Sequence, residues 1–277
     1  MNQKVKKNDN NSVHLFGYLN GVRMNAMENG RTAINLDVCT LEQYKDKAGE
    51  FQTRRTYHDV VIFTEDKKVI KNFQKLGKDV DANAANRGVE GYEPKTHTIA
   101  VDGILVNKEN TIGGSDTKYR TLQIIAQADG VATDVKQGEK EVRNGAMLTG
   151  NVAAIALHED KNFAVVTIMH HYRPEGSEKD FTTTVDVRVS GDRMFSKAAY
   201  EAIKKGELKK GDFVRMGGQM HNNRFETEDG VRYGVNIDLT SYTSLVKKEA
   251  KKEEVAAKPA AKKAPKKAVS KKGAVKM

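Results

Sequence analysis

The fold of this chain rests on the stretch Thr56-Tyr57-His58-Asp59-Val60-Val61-Ile62-Phe63, which is rich in β-branched and aromatic residues and predicts a β-strand. Apolar residues at helix spacing follow from Val69 to Leu76, and Gly77 is the expected end of that helix. A strand followed directly by a helix is therefore the first element pair that the sequence predicts.

Four further strands are predicted around this pair. Two precede it: residues 13–19 contain an early glycine, and residues 33–38 alternate between apolar and polar after a turn at Asn29-Gly30. Two follow it, at residues 96–106 and 118–126. Three strands, one helix and two strands are the element order of the five-stranded OB barrel.

The second half of the sequence repeats this order. Its predicted elements are strands at 147–152, 163–168 and 183–189, a helix at 194–205, and strands at 213–220 and 232–239. The expected fold class is all-β, with two tandem five-stranded OB-fold barrels that each carry a helix between strands 3 and 4. Two unrelated antiparallel β domains remain the alternative.

Composition divides the chain into five segments. They are a flexible N-terminal arm (1–11), a first OB-fold domain (12–127), a polar, glycine-containing linker (128–144), a second OB-fold domain (145–246) and a tail (247–277). The first domain also contains an irregular Asn/Ala/Gly insertion at 79–95. The Lys/Ala/Pro-rich tail has no aromatic residue and cannot bury enough apolar surface to fold, so we expect it to be disordered.

The positive charge is concentrated in the tail. The formal net charge of the chain is +10, and the twelve lysines and three glutamates of residues 247–277 account for +9 of it. The rest of the chain is therefore nearly neutral. A strongly basic segment attached to a neutral body indicates a polyanionic partner such as nucleic acid.

Several function classes lack sequence support. No apolar run reaches the roughly 20 residues of a membrane span, and the polar N-terminus does not resemble a signal peptide. The single cysteine, Cys39, reads as a core residue of a protein in a reducing cytoplasm. His170-His171 reads as a solvent-exposed pair rather than a metal site, and no catalytic set, metal site or cofactor motif is predicted.

The two halves resemble the bacterial single-stranded DNA-binding protein family, over residues 12–127 and 145–242. The 56–63 strand looks like the family's Trp-His-x-Val-Val-x-Phe strand, and the polar loop 42–53, with Tyr44-Lys45-Asp46-Lys47, looks like its aromatic and basic loop. In the second half, Leu208-Lys209-Lys210-Gly211 and residues 224–233 look like its Lys-Lys-Gly turn and Asp-Gly hairpin. The ordered set in two copies resembles family variants with two tandem OB domains.

The resemblance implies a nucleic-acid interface in which bases stack on rings and cations hold phosphates. Its stacking positions fall on Tyr44, Tyr57, Phe63, Tyr172 and Phe225, although the family stacks largely on tryptophan and this chain has none. Cations near these rings complete the candidate site: Lys45, Lys47, Arg54, Arg55, Arg173, Arg188, Arg224 and Arg232. Of these, Arg54-Arg55 beside Tyr57 and Arg224-Phe225 interleave charge with an aromatic ring most closely.

The resemblance also implies function and partners. We expect the chain to bind and protect single-stranded DNA in replication, recombination or repair, in a bacterial cytoplasm, as a homodimer with four OB barrels. The family's acidic C-terminal tip is replaced by Gly273-Ala274-Val275-Lys276-Met277, which favours a phage or mobile-element source. RNA or duplex DNA are further expected partners of the tail. An RNA-binding or RNA-chaperone protein and a protein-interaction module without nucleic-acid binding are the alternatives.

Overall fold

The structure is a computed structural model. It describes residues 10–46, 48–111, 118–136, 144–173, 179–227 and 230–245, and its account of side chains excludes 109–111, 118–120, 223–227 and 230–233. Residues 1–9 of the predicted arm and the predicted tail 247–277 lie outside the described residues. Neither helix in the described part of the chain is long and apolar enough to cross a membrane.

Five strands and one helix form the first half, residues 10–136. They are β1 (Asn10–Ala26), β2 (Thr32–Lys45), β3 (Phe51–Thr64), α1 (Lys67–Ala85), β4 (Thr98–Thr111) and β5 (Lys118–Thr133). β1 pairs with β2 and β4, β3 pairs with β2 and β5, and β4 pairs with β5. The five strands therefore close into a hydrogen-bonded ring, in which only the β3–β5 pair is parallel.

The second half, residues 144–245, repeats this arrangement. It contains β6 (Asn144–His158), a 3-10 turn (Glu159–Lys161), β7 (Phe163–Tyr172), β8 (Phe181–Ser190), α2 (Met194–Lys204), β9 (Phe213–Thr227) and β10 (Gly230–Ser244). Its strands close in the same order, again with one parallel pair, β8–β10. The prediction of a mostly β chain with a helix after the third strand of each half is confirmed.

Strand alternation separates core residues from the surface that carries candidate sites. On β8, Val185, Val187 and Val189 are fully buried, while Asp186 and Arg188 between them are exposed. Successive side chains of a strand point to opposite faces, so one face of each strand supplies the hydrophobic core and the other remains available for ligands.

β1 and β6 pair with each other and relate the two halves by a local twofold axis. Gly17 and Gly150 mark equivalent positions, because a Cβ on either glycine would collide with a carbonyl oxygen of the neighbouring strand, β2 or β7. Val13 and Ala146 lie four residues before these glycines and pair with each other. A central pair of equivalent residues, with the antiparallel pairing running symmetrically away from it, is what a twofold axis through the Val13–Ala146 pair produces.

The end of α1 corrects a sequence prediction. The helix does not stop at Gly77 but continues to Ala85, so the first part of the insertion 79–95 is helical. Gly77 serves packing instead, because a Cβ there would lie only 3.3 Å from the Cβ of Val22 on β1. The helix ends at Asn86, whose side-chain amide donates to the carbonyl of Ala82.

The start of the predicted linker is also corrected. β5 extends to Thr133, and its last residues pair with β4 through Ala132–Ala100 and Thr133–Ile99. Because of this pairing, residues 128–133 belong to the first ring and not to a linker. Residues 137–143 lie outside the described residues, and β6 begins at Asn144.

Candidate nucleic-acid interface

β3 presents a row of exposed side chains on its outward face. Alternation places Phe51, Arg55 and Tyr57 together on this face, and Phe51 and Tyr57 are 72% and 45% exposed. Lys45 of β2 pairs with Phe51, and its ammonium lies 5.0 Å from the ring centroid. Rings and cations that alternate along a surface can bind both the bases and the phosphates of a single strand.

Phe51 is a residue that the sequence prediction missed. The predicted polar loop, 42–53, includes Phe51, but β2 and β3 pair as far as Lys45 and Phe51, so Phe51 lies on a strand. Its even spacing from Tyr57 was the available signal, because residues six apart on one strand share a face.

Arg54 lies on the opposite face of β3 from Arg55 and Tyr57. Its guanidinium lies 4.7 Å from the ring centroid of Tyr44, 3.8 Å from the carboxylate of Glu42 and 3.3 Å from Nδ1 of His221 in the second half. The structure therefore places Arg54 with Tyr44 in a contact between the halves, and only Arg55 beside Tyr57.

His221 is the centre of that contact. Its Nδ1 lies 3.4 Å from the carboxylate of Glu42 and its Nε2 4.0 Å from that of Asp238, which also pairs with Arg193 at 2.8 Å. Burial lowers the pKa of His221, although the Glu42 and Asp238 carboxylates act in the opposite direction. The neighbouring His58 is a buried packing residue: its Nε2 lies 3.0 Å from the Thr40 hydroxyl, and burial lowers its pKa to about 3.

The second half has an aromatic pair where the first half has Glu42 and Arg54. Tyr172 and Phe181 face each other across β7 and β8, with ring centroids 5.8 Å apart. Burial raises the pKa of Tyr172, and Phe181 is 44% exposed. The predicted cation Arg173 is bound to Asp180 at 2.8 Å, so its charge is already paired.

Two asparagines join the halves at equivalent points. The Asn222 amide accepts from the backbone N–H of Tyr57 at 3.2 Å and donates to the carbonyl of Arg55 at 3.4 Å. The Asn107 amide donates to the carbonyl of Thr184 at 2.5 Å, and its backbone N–H donates to the Thr183 hydroxyl at 3.0 Å. Each half therefore anchors the third strand of the other with an amide from its fourth strand.

A seam formed by Thr121 and Leu122 of β5 and by Gly234 and Val235 of β10 separates two cavities. The smaller cavity, about 500 Å³, opens beside Tyr57 and is also lined by Asp59 and Asn222. The larger, about 780 Å³, opens beside β8 and is lined by Asn107, Thr184, Asp186 and Arg188 among others. The four seam residues line both cavities, so the two cavities adjoin where the halves meet.

Phe163 lies in the larger cavity and was not predicted as a site residue. The Arg188 guanidinium lies 4.8 Å from its ring centroid, and the His158 ring stacks on it at 4.7 Å. Arg188, a predicted cation, therefore lies beside a ring, but the ring differs from those that the sequence predicted. Phe63 of the first half is half-buried, and its carbonyl accepts from the guanidinium of Arg31 at 2.7 Å.

The remaining predicted residues lie on the β9–β10 hairpin or outside the described part. Phe225 pairs with Arg232 and Arg224 pairs with Tyr233 in the backbone register, but the side chains of all four are not among those described. Lys47 is outside the described residues.

No metal cluster is found where the structure describes side chains. Groups of three or more His, Cys, Asp and Glu residues that could hold a metal ion do not occur among the described residues. His170 is fully buried and His171 exposed, so the expectation of an exposed histidine pair is wrong, because alternation along β7 sends the two rings to opposite faces.

Solved structures of the single-stranded DNA-binding protein from Thermus aquaticus are similar to this chain. A deletion mutant aligns with a TM-score of 0.54 and 18% identity, over 88% of this chain and 98% of the other. The wild-type protein aligns with a TM-score of 0.52 and 17% identity, over 87% and 95%. No family model and no curated protein matches the chain. The likeness shows that the fold is shared.

Proposed function

We propose that this chain, which shares its fold with the single-stranded DNA-binding protein from Thermus aquaticus, binds and protects single-stranded DNA without strong sequence preference, in replication, recombination or repair. Each closed ring of five strands is interpreted as an OB barrel, and the two barrels as a tandem pair. The observation that carries the proposal is the exposed row of Phe51, Arg55 and Tyr57 on the outward face of β3.

This row suits a single strand because its two kinds of group alternate. Each base can stack on a ring, which contributes about 1–3 kcal/mol and is independent of sequence because every base has a flat face. Arg55 and Lys45 can bind the phosphates between the bases. The smaller cavity beside Tyr57 adjoins the larger one beside β8, so the two cavities offer a route from this row toward the second half.

Titration with oligo-dT of roughly 30 nucleotides, which matches two OB folds, tests the proposal. The chain has nine tyrosines and no tryptophan, so intrinsic tyrosine fluorescence reports binding. We expect quenching, and a log affinity that falls by roughly 0.7 per neutralised phosphate per decade of salt. The proposal fails if the protein shows neither quenching nor salt-sensitive binding.

The two alternatives have their own tests. A matched RNA oligomer that binds more tightly than the DNA oligomer would favour an RNA-binding protein. To test for a protein-interaction module, Tyr44, Tyr57 and Phe225 are replaced together by alanine. Phe195→Ala is the control, because the Phe195 ring is 66% exposed on α2 and lines neither cavity. Unchanged nucleic-acid affinity in the triple variant would favour the module.

The tail and the assembly state complete the proposal. Residues 247–277 add non-specific electrostatic affinity for nucleic acid, so their deletion should weaken binding at low salt and matter little at high salt. An equal loss at both salt concentrations would contradict this role. Two copies of the chain form a homodimer with four OB barrels, and light scattering with and without a long oligonucleotide measures the mass that decides it.

A further inference from the structure

The larger cavity contains a ring that has a counterpart in the first half. Phe63 on β3 pairs with Ala33 on β2, and Phe163 on β7 pairs with Ser190 on β8. In each half, this pair lies six residues along both strands from the Cys39–Tyr57 or Met169–Thr184 pair, at which the pairing of β2 with β1 or of β7 with β6 begins. The two phenylalanines therefore occupy the same place in each ring, although opposite strands supply them.

The surroundings of Phe163 supply what a nucleotide needs. Arg188 lies over its ring and the His158 ring stacks on it, which groups three planar side chains, and the Arg188 side chain among them is exposed. Lys161, exposed at the turn before β7, lines the same cavity. The Asp186 carboxylate also lines the cavity, and the Thr167 hydroxyl donates a hydrogen bond to this carboxylate at 2.6 Å. Two permanent cations against one carboxylate leave the cavity favourable to a phosphate.

The first half lacks this set at the equivalent positions. Arg188 lies four residues beyond Thr184, and the residue four beyond Tyr57 is Val61, which is buried. The first half has Tyr57 where the second has Thr184, so the smaller cavity is lined by a ring at this point, whereas the ring and the two cations of the larger cavity lie elsewhere in its lining. The two cavities are equivalent in position but different in chemistry.

We propose that Phe163, His158 and Arg188 form a second base-stacking subsite, and that Lys161 and Arg188 bind the phosphate beside it. This inference rests on the proposed function. One single strand lies along β3, passes Tyr57, crosses the seam of Thr121, Leu122, Gly234 and Val235, and enters the larger cavity. A volume of about 780 Å³ accommodates a nucleotide.

Photo-cross-linking tests the contact directly. An oligo-dT of roughly 30 nucleotides that carries 5-iodouracil is irradiated with the full chain, and mass spectrometry locates the adducts. We expect adducts on the peptide that contains His158 and Phe163, as well as on the peptide that contains Tyr57. Adducts at Tyr57 with none at His158 or Phe163 would overturn the subsite and leave the proposed function standing.

Affinity measurements give an independent readout. Phe163→Ala should weaken binding of the long oligomer by about 5- to 150-fold, the range of one lost base stack, and Arg188→Gln should also weaken it. An oligomer of roughly 8 nucleotides, which one barrel can hold, should bind with a smaller loss. Alanine already stands at the equivalent position 33, so the fold should tolerate the change.

Phe195→Ala is the matched control, and its affinity should equal that of the unmodified chain. Unchanged affinity in both Phe163→Ala and Arg188→Gln, while Tyr57→Ala weakens binding, would overturn the subsite alone. An unmodified chain that binds no single-stranded DNA would overturn the proposed function and the subsite with it.

Discussion

Replacing Tyr57 with alanine should weaken single-stranded DNA binding while the chain stays folded. Tyr57 is 45% exposed at the mouth of the smaller cavity, and its backbone, not its ring, is held by Asn222. The alanine variant therefore removes a ring from the proposed path and leaves the contact between the halves intact.

The magnitude follows from what the ring can do. One stacked base contributes about 1–3 kcal/mol, which corresponds to a roughly 5- to 150-fold increase in Kd. The ring is only about half buried, so its loss should reduce the free energy of unfolding by roughly 1–1.5 kcal/mol, about half the value for a fully buried side chain. A domain with about 5–15 kcal/mol of stability remains folded after that loss.

Fluorescence anisotropy of a labelled oligo-dT measures Kd, and a thermal melt measures stability in the same samples. Tyr57→Phe is the control, because it keeps the ring and removes only the hydroxyl. An alanine variant that binds as tightly as the unmodified chain would refute the reasoning. A phenylalanine variant that loses as much affinity as the alanine variant would also refute it, since the hydroxyl and not stacking would then carry the interaction.

Three other changes separate binding from stability. Arg55→Gln should lower the slope of log Kd against log salt by about 0.7, because one phosphate contact is lost. Arg54→Gln loses the contact with Glu42, so it should lower the melting temperature and leave that slope unchanged. Burial lowers the pKa of His58 from 6.5 to about 3, so between those pH values only the unfolded chain takes up a proton at this residue. The free energy of unfolding should therefore fall by up to about 1.4 kcal/mol per pH unit as the pH drops through this range. Denaturant titrations should show that the free energy of unfolding depends less on pH in His58→Gln. Gly17→Ala should destabilise the chain by about 1–3 kcal/mol or more, because its Cβ would collide with a backbone carbonyl of β2; an unchanged melting temperature would contradict this.

Local chemistry made part of the site predictable from the sequence. Arg55 and Tyr57 stand two apart in a strongly β-prone stretch, so their shared face followed from the period of a strand. The same reasoning should have separated Arg54 from them, and it would have included Phe51 had the hairpin been extended to its true end. Phe163 carried no such signal, because a phenylalanine at the start of an alternating strand is typical of a core position.

Local patterns in the sequence were sufficient to predict the strands, a helix between the third and fourth strands of each half, and the repetition of that order. Strand and helix periods and turn residues act over only a few positions, so they can be recognised without the tertiary structure. Three features emerged only from the tertiary structure: β1 pairs with β6 about the Val13–Ala146 pair, Asn107 and Asn222 join the halves, and two adjoining cavities lie where the halves meet. These features depend on residues more than 75 positions apart, and pairing across that distance is set by the closure and packing of whole rings rather than by any local pattern.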